Sequence, residues 1–87
     1  MVNVGYYNYI ASGRIICITS PFSKPTRHLI REARNNGQLV DLTMGKRTRS
    51  VIVMDNNHIV LAANMPKTIV DRLTKKNLVL TDQDSAP

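Results

Sequence analysis

Three short segments of the chain are apolar at successive positions rather than at alternate ones: residues 15–18, 51–54 and 59–63. A strand with one solvated face alternates apolar and polar side chains, whereas a continuous apolar run indicates a strand that is covered on both faces. A chain of 87 residues makes one small domain. Two short helices can cover one face of its sheet, so we expect a second copy of the chain to cover the other, which predicts a homo-oligomer.

The segments between these runs predict a small antiparallel sheet. The sequence Asp-Asn-Asn-His at residues 55–58 is typical of a tight hairpin turn, because Asn and Asp tolerate the left-handed backbone that such turns need. Residues 39–42 add a further strand. Residues 2–10 indicate one or two short strands that are broken at Gly5. With two helices, this pattern predicts an α+β fold.

The sequence predicts two helices, the first of them from its boundary residues. Ser23 is a candidate N-cap, Pro25 suits the first turn, and Gly37 is placed to end a helix over residues 24–36. A second helix is predicted over residues 66–74. Residues 75–87 are expected to form a flexible C-terminal tail, which is polar over residues 81–87. The predicted buried stripes are Thr26, Leu29, Ile30 and Ala33, joined by Phe22, on the first helix, and Ile69, Val70 and Leu73 on the second.

A basic turn connects two of the predicted strands. It contains Lys46, Arg47 and Arg49, beside Gly45 and two hydroxyl residues, Thr48 and Ser50. Glycine permits a positive φ, and guanidinium groups bind phosphate with two hydrogen bonds. Arg47 and Arg49 share one side if the strand begins at Arg47, and Lys46 joins them only if it is still in the turn. The turn is therefore either an anion-binding site or an ordinary solvated loop.

The charge distribution favours the first interpretation. The chain has 12 Lys and Arg residues against 6 Asp and Glu, a net charge of +6, and all 12 cations precede residue 77. A domain this basic favours a polyanionic partner, most commonly nucleic acid. Arg14, which precedes the first apolar strand, is a second candidate contact. Arg27, Arg31 and Arg34 recur at helical spacing and form a possible secondary basic surface, or a solvated helix face.

Catalytic and metal-binding patterns do not occur in the sequence. There is no paired-carboxylate motif, no glycine-rich phosphate loop and no His or Cys cluster at metal-ligand spacing, so we expect no enzyme activity, metal, cofactor or small-molecule substrate. Cys17, the single cysteine, is expected to be buried and inert. The chain has no apolar stretch of membrane-spanning length and no signal-peptide pattern, so we expect a cytoplasmic protein without membrane contact.

Several short motifs occur in a characteristic order along the chain. They are Ser-Gly-Arg-Ile-Ile at 12–16, Ser-Pro at 20–21, Glu-Ala-Arg at 32–34, Leu-Val-Asp at 39–41, Thr-Met-Gly-Lys-Arg-Thr-Arg at 43–49, Val-Met-Asp at 53–55 and Val-Asp-Arg-Leu at 70–73. With these motifs the chain resembles the RemA-like family, the bacterial regulators of extracellular-matrix genes. The resemblance covers roughly residues 2–74 and is most specific over residues 41–49.

The resemblance implies a DNA-binding transcriptional activator of biofilm-matrix and osmoprotection genes. It implies a LytTR-like fold and a ring-shaped homo-oligomer around which duplex DNA is bent or wrapped. The family's DNA-contacting positions fall on Arg14, Lys46 and Arg47, with Arg49 as a further candidate. The family usually has Arg where this chain has Lys46. It also more often has Gly-Phe-Gly-Asn where residues 5–8 are Gly-Tyr-Tyr-Asn.

Two other functions remain open from the residues themselves. The first is RNA binding on the same basic surface, for which Tyr6, Tyr7 and Tyr9 would stack on unpaired bases. These tyrosines would otherwise pack on the sheet or against another subunit. The second is a structural or protein-interaction module whose cations bind an acidic partner.

Overall fold

The computed structural model describes residues 1–74, and the predicted tail at residues 75–87 lies outside the described residues. The elements are, in chain order, β1 (Val2–Asn3), β2 (Tyr9–Ile10), a 3₁₀ turn (Ser12–Arg14), β3 (Ile15–Thr19), α1 (Lys24–Asn35), β4 (Leu39–Asp41), β5 (Ser50–Met54), β6 (Ile59–Ala62) and a second helix, α2, over residues 66–74.

The main sheet has four strands in the order β3–β5–β6–β4. β5 pairs antiparallel with both β3 and β6, as the hairpin at residues 55–58 predicts. β4, however, is parallel to β6, so the sheet is mixed and the prediction of an antiparallel sheet is correct only in part. The reason is that β6 inserts between β4 and β5. The chain reverses once from β4 to β5 and again from β5 to β6, which leaves β4 and β6 running in the same direction.

The two faces of the sheet are covered by different parts of the same chain. One cluster joins Ile52 and Val60 of the central strands to the β1–β2 hairpin and to Ile69 of α2. The other joins Val51 and Leu61 to Ala33 of α1. The prediction that β5 and β6 are buried on both faces is therefore confirmed. The expectation that both helices lie on one face is wrong, and these strands need no second copy of the chain to cover them.

The prediction that Cys17 is buried is also wrong. β3 is an edge strand, and α1 packs over β4 and β6 at the other side of the sheet. Cys17 pairs with Val53 but is exposed, and Ile16, which occupies a bulge in the register, is 64% exposed. β3 therefore has an apolar sequence like the central strands, but it is not covered as they are.

Helix α1 has the predicted ends. The Ser23 hydroxyl accepts a hydrogen bond from the Thr26 N–H at 3.3 Å, and Pro25 lies in the first turn. At the other end Gly37 has a φ of +71°, and the Gln38 N–H donates to the Ala33 carbonyl at 2.8 Å, which completes a Schellman motif. Of the predicted stripe, Thr26 and Ala33 are buried and Ile30 is half-buried. Leu29 and Phe22 are exposed instead, because α1 does not extend over β3.

The N-terminal segment forms the predicted pair of strands broken at Gly5. The turn between β1 and β2 is closed by the Asn8 N–H, which donates to the Gly5 carbonyl at 2.9 Å. Its two central residues, Tyr6 and Tyr7, have φ values of 53° and 61°. This is the backbone of a type I′ turn, in which Asn and Gly are usual, and it costs other residues roughly 1–2 kcal/mol each. The position of Tyr7 is one at which the RemA-like pattern more often has glycine.

Candidate nucleic-acid interface

The basic turn is a defined β-turn rather than a loose loop. The Lys46 N–H donates to the Thr43 carbonyl at 3.0 Å, and the two residues between them, Met44 and Gly45, have φ values of 55° and 78°. These values belong to a type I′ turn. The predicted positive φ at Gly45 is therefore confirmed. Both ends of the connection are tied to β6, because the Leu42 N–H donates to the Leu61 carbonyl and the Arg49 N–H donates to the Ala62 carbonyl, each at 2.9 Å.

Asp41 anchors the start of this turn. Its Oδ1 atom accepts hydrogen bonds from the hydroxyl of Thr43 at 2.6 Å and from the N–H of Thr43 at 2.9 Å. These two bonds, first the hydroxyl and then the N–H, lower the pKa of the Asp41 carboxyl, and the nearby charge of Arg34 lowers it further. Thr43 is buried, so the chain enters the turn from a fixed point.

The three cations of the turn are exposed. Lys46, Arg47 and Arg49 all face solvent, and within residues 1–74 the structure records no carboxylate within 4.0 Å of any of them. One guanidinium nitrogen of Arg49, Nη1, lies 3.7 Å from the sulfur of Met65. Three positive charges on a short, hydrogen-bonded segment can each contact a phosphate oxygen without first breaking an ion pair.

The predicted grouping of the three cations depends on where the strand begins. β5 begins at Ser50 rather than at Arg47, so Arg47 and Arg49 precede the strand and their relative orientation is not set by strand alternation. Lys46 is still in the turn, as its last residue. The hydroxyl of Ser50 is not available to a ligand, because the residue is buried and donates to the Asn64 carbonyl. Thr48 is half-buried.

Arg14 lies at the opposite end of β5 from the basic turn. Its carbonyl accepts a hydrogen bond from the N–H of Asp55, which follows β5, and its Nε lies 3.6 Å from the Asp55 carboxylate. Arg49 immediately precedes β5. Five strand residues separate the two ends, which corresponds to roughly 20 Å at about 3.3 Å per residue. One subunit therefore does not bring Arg14 into a common cluster with Lys46 and Arg47. Arg14 is exposed and precedes the edge strand β3.

The arginines of α1 form a separate surface. Arg27, Arg31 and Arg34 are all exposed. Arg34 is close enough to Asp41 to lower the pKa of its carboxyl, so the end of this ridge approaches the base of the basic turn. The carboxylate of Glu32 lies 3.3 Å from Nε2 of His28, one helical turn away. Among residues 1–74 the three arginines of the ridge therefore have no recorded ion pair.

A further cation near the basic turn was not identified from the sequence. Nη1 of Arg72, on α2, donates to the carbonyl of Asn3 at 2.9 Å and to the side-chain oxygen of Asn64 at 2.7 Å. Its guanidinium lines a pocket together with Tyr6 and Tyr7. Two sequence features could have pointed to Arg72: the family-like Val-Asp-Arg-Leu segment that contains it, and the pair Tyr6-Tyr7. These features are more than sixty residues apart in sequence, and only the fold brings them together.

The three tyrosines differ in exposure. Tyr7 is 87% exposed, and Tyr6 and Tyr9 are about half exposed. The interpretation that the tyrosines pack on the sheet is therefore wrong for Tyr7, whose ring is open to a ligand or another molecule. A contact of these rings with another subunit stays a prediction.

Two other features concern metal binding and membrane insertion. Within residues 1–74, no group of three or more His, Cys, Asp or Glu side chains is placed to hold a metal ion. In the same part of the chain, neither helix has the length and apolarity needed to cross a bilayer.

The fold and this surface define a small α+β protein with an exposed cationic turn. Comparison with known proteins identifies its family: the model of the RemA-like family, described as extracellular matrix regulatory protein A-like, matches residues 1–73. The chain belongs to this family.

Relatives cover almost the whole chain. A protein of Clostridium beijerinckii is 40% identical over 84 residues, which are 97% of this chain and 93% of the relative. A protein of Desulfitobacterium hafniense is 43% identical over 86 residues, 99% of this chain and 94% of the relative. One from a Thermoanaerobacter species is 43% identical over 82 residues, 94% of this chain and 85% of the relative. Each of the three is named as a "Putative regulatory protein".

Proposed function

We propose that this protein is a DNA-binding transcriptional regulator that activates extracellular-matrix (biofilm) and osmoprotection genes in the bacterial cytoplasm. The observation that carries the proposal is the basic turn, a hydrogen-bonded type I′ turn whose three cations have no recorded carboxylate partner among residues 1–74. The family assignment and the names of the relatives support a regulatory role.

The regulator acts as a ring-shaped homo-oligomer of subunits with a LytTR-like fold. The central strands are covered within one chain, so their burial does not support an oligomer. The exposed edge of the sheet does support one. β3 is an edge strand, and the apolar side chains of Ile16 and Phe22 beside it are 64% and 68% exposed. An exposed apolar edge strand favours pairing with another chain.

Oligomerisation also explains how basic turns that each bind DNA weakly can together bind it tightly. One basic turn makes few phosphate contacts. Several copies on one assembly engage the same duplex at a high effective concentration. Arg14, which is far from the turn within one subunit, then contributes along the same DNA path. Binding of this kind depends mainly on phosphates, weakens steeply with salt and responds to the shape and bendability of the DNA.

The exposed tyrosines favour a second candidate, RNA binding. Tyr7 is 87% exposed on the turn between β1 and β2, where its ring can stack on an unpaired base. Duplex DNA offers no unpaired base to stack on, so the two candidates predict different substrates.

The test compares a duplex DNA with a single-stranded RNA of the same sequence by fluorescence anisotropy at one fixed salt concentration. Tyr7→Asn is the matched variant, because Asn tolerates the left-handed backbone at this position. The proposal predicts tighter binding to the duplex and little effect of Tyr7→Asn on it. Tighter binding to the RNA, weakened by Tyr7→Asn, would replace DNA with RNA as the partner.

A further inference from the structure

The pocket between α2 and the turn of the β1–β2 hairpin contains a cation that the proposed function does not use. Its lining includes Tyr6, Tyr7, Asn64 and Arg72 and contains no acidic residue. Asp71, the neighbour of Arg72 in sequence, is paired with Lys67 at 2.9 Å. Within residues 1–74 no carboxylate lies within 4.0 Å of Arg72.

The guanidinium of Arg72 is held in place by neutral acceptors. Both of its recorded hydrogen bonds come from Nη1, to the Asn3 carbonyl and to the Asn64 side-chain oxygen. Nε and Nη2 have no recorded partner among the described residues. These two atoms form the edge of the guanidinium that binds an oxyanion with two parallel hydrogen bonds. The side chain is therefore positioned before a ligand arrives and keeps its positive charge uncompensated.

The turn between β1 and β2 packs closely against the Asn64 side chain that holds Arg72. A Cβ atom on Gly5 would lie 3.0 Å from the side-chain oxygen of Asn64, so the turn backbone packs directly against the amide that holds Arg72. The side-chain oxygen of Asn3 accepts from the Gly5 N–H at 2.7 Å and fixes the same turn. The turn then presents Tyr6 and Tyr7 in a backbone conformation that both residues disfavour. Strained residues of this kind concentrate at binding sites.

The donors that reach this pocket match a phosphate. The side-chain oxygen of Asn64 accepts from Arg72, and within residues 1–74 its amide nitrogen has no recorded acceptor. Neither tyrosine hydroxyl has a recorded hydrogen bond with residues 1–74. A carboxylate can occupy the free edge of Arg72 with its two oxygens, whereas a tetrahedral phosphate presents further oxygens in other directions, to which the amide and the hydroxyls can also donate.

We propose that this pocket binds a phosphate group, with Arg72 as the cation that holds it. The phosphate belongs either to the backbone of the DNA that the basic turn contacts or to a free nucleotide whose base lies on the tyrosine rings. The pocket is near the basic turn, because the Asn8 side chain donates to the Leu42 carbonyl at 3.4 Å and to the Gly5 carbonyl at 3.0 Å. The existence of the phosphate site is independent of the proposed function, and only its assignment to DNA rests on it.

The direct test is an NMR titration of the ¹⁵N-labelled full-length protein, observing the Nε–Hε signal of Arg72. Sodium phosphate and sodium acetate are added separately at matched ionic strength. A saturable shift with phosphate that is at least several-fold tighter than with acetate supports the proposal. Equal effects of the two anions, or no saturable shift, would overturn it. Because the signal is observed in the wild type, this result does not depend on a variant that folds.

Three variants locate the effect. Arg72→Gln should abolish the saturable phosphate shift of the Tyr7 amide, whereas Arg47→Ala should leave it unchanged. Tyr7→Gly removes the ring at a position whose φ favours glycine, and it should weaken binding of adenosine monophosphate more than binding of inorganic phosphate. A phosphate response of the Tyr7 amide that persists in Arg72→Gln would contradict the assignment to Arg72.

The source of the phosphate is decided with a short duplex and with adenosine monophosphate. If the duplex shifts the Arg72 signal, and Arg72→Gln lowers the salt slope of DNA binding by about one, the phosphate is that of DNA. If the nucleotide binds more tightly than phosphate and the duplex leaves Arg72 unchanged, the ligand is a free nucleotide. Failure of the proposed function would appear separately, as duplex binding that Arg47→Ala does not alter.

Discussion

Thr43 donates two hydrogen bonds to a single oxygen of Asp41, one from its hydroxyl at 2.6 Å and one from its N–H at 2.9 Å. This pair sits where β4 ends and the basic turn begins. The exposed cations that follow therefore extend from a buried, hydrogen-bonded residue rather than from a mobile loop. A turn positioned in this way loses less conformational entropy when it binds a ligand.

Thr43→Val removes the hydroxyl while keeping the shape of the buried side chain. The hydrogen bonds from Thr43, and then the charge of Arg34, lower the pKa of Asp41 below its ordinary value in the folded protein, and this pKa should rise in the variant. The carbon NMR titration of the Asp41 carboxyl measures this change. An unchanged pKa would mean that the hydroxyl bond is absent in solution.

The difference in stability between Thr43→Val and the wild type should depend on pH. A lowered carboxyl pKa stabilises the folded state above the unfolded value, near about 4, and this stabilisation is lost as the pH falls through the folded pKa. Thr43→Val should therefore be less stable than the wild type at pH 7, by about 1 kcal/mol, with a smaller difference at low pH. Urea denaturation at two pH values checks both the sign and the trend.

The turn backbone can be tested without changing charge. Met44 has a φ of 55°, so Met44→Asn creates the Asn-Gly pair preferred in type I′ turns and should stabilise the protein by a few tenths to about 1 kcal/mol. Gly45→Ala should destabilise it by about 1 kcal/mol. An added Cβ at Gly45 meets no atom within 4 Å, so this loss reports the positive φ alone. Equal stability of the two variants in urea would argue against a type I′ turn.

Arg47→Ala should weaken DNA binding strongly and leave the fold and the assembly intact. A charge-assisted hydrogen bond is worth about 1.5–3 kcal/mol, which is roughly tenfold or more in affinity, and the loss repeats in every subunit. Arg31→Ala, on the exposed ridge of α1, is the matched control with a smaller expected effect. An equal loss in both variants, measured by anisotropy, would extend the DNA surface to α1.

Local features of the fold were predictable because short stretches determine them. Ser23 and Gly37 mark the ends of α1, and the Asx residues at 55–58 mark the β5–β6 hairpin, since caps and turns depend on a few neighbouring residues. The continuous apolar character of β5 and β6 likewise predicted burial on both faces.

The errors concern the order of the strands and the placement of the helices. β3 has the same apolar sequence as the central strands, but it lies at the edge, so Cys17 and Ile16 are exposed. Nothing local distinguishes an edge strand from a central one. Arg14 and Arg47 lie at opposite ends of β5, so these candidate DNA contacts do not form one cluster within a subunit. Arg72 gave no chemical signal of its own, because its pocket forms from segments that meet only in the folded chain.

The most direct test of the account is the salt dependence of duplex DNA binding, measured by fluorescence anisotropy for the wild type and two triple variants. One replaces Lys46, Arg47 and Arg49 with Ala, and the control replaces the α1 ridge, Arg27, Arg31 and Arg34, so each removes three positive charges. We expect a steep negative salt slope for the wild type, a slope that is nearly retained by the ridge variant, and loss of binding in the turn variant. Equal binding by the wild type and the turn variant, or no binding by the wild type, would contradict the claim that the basic turn holds DNA.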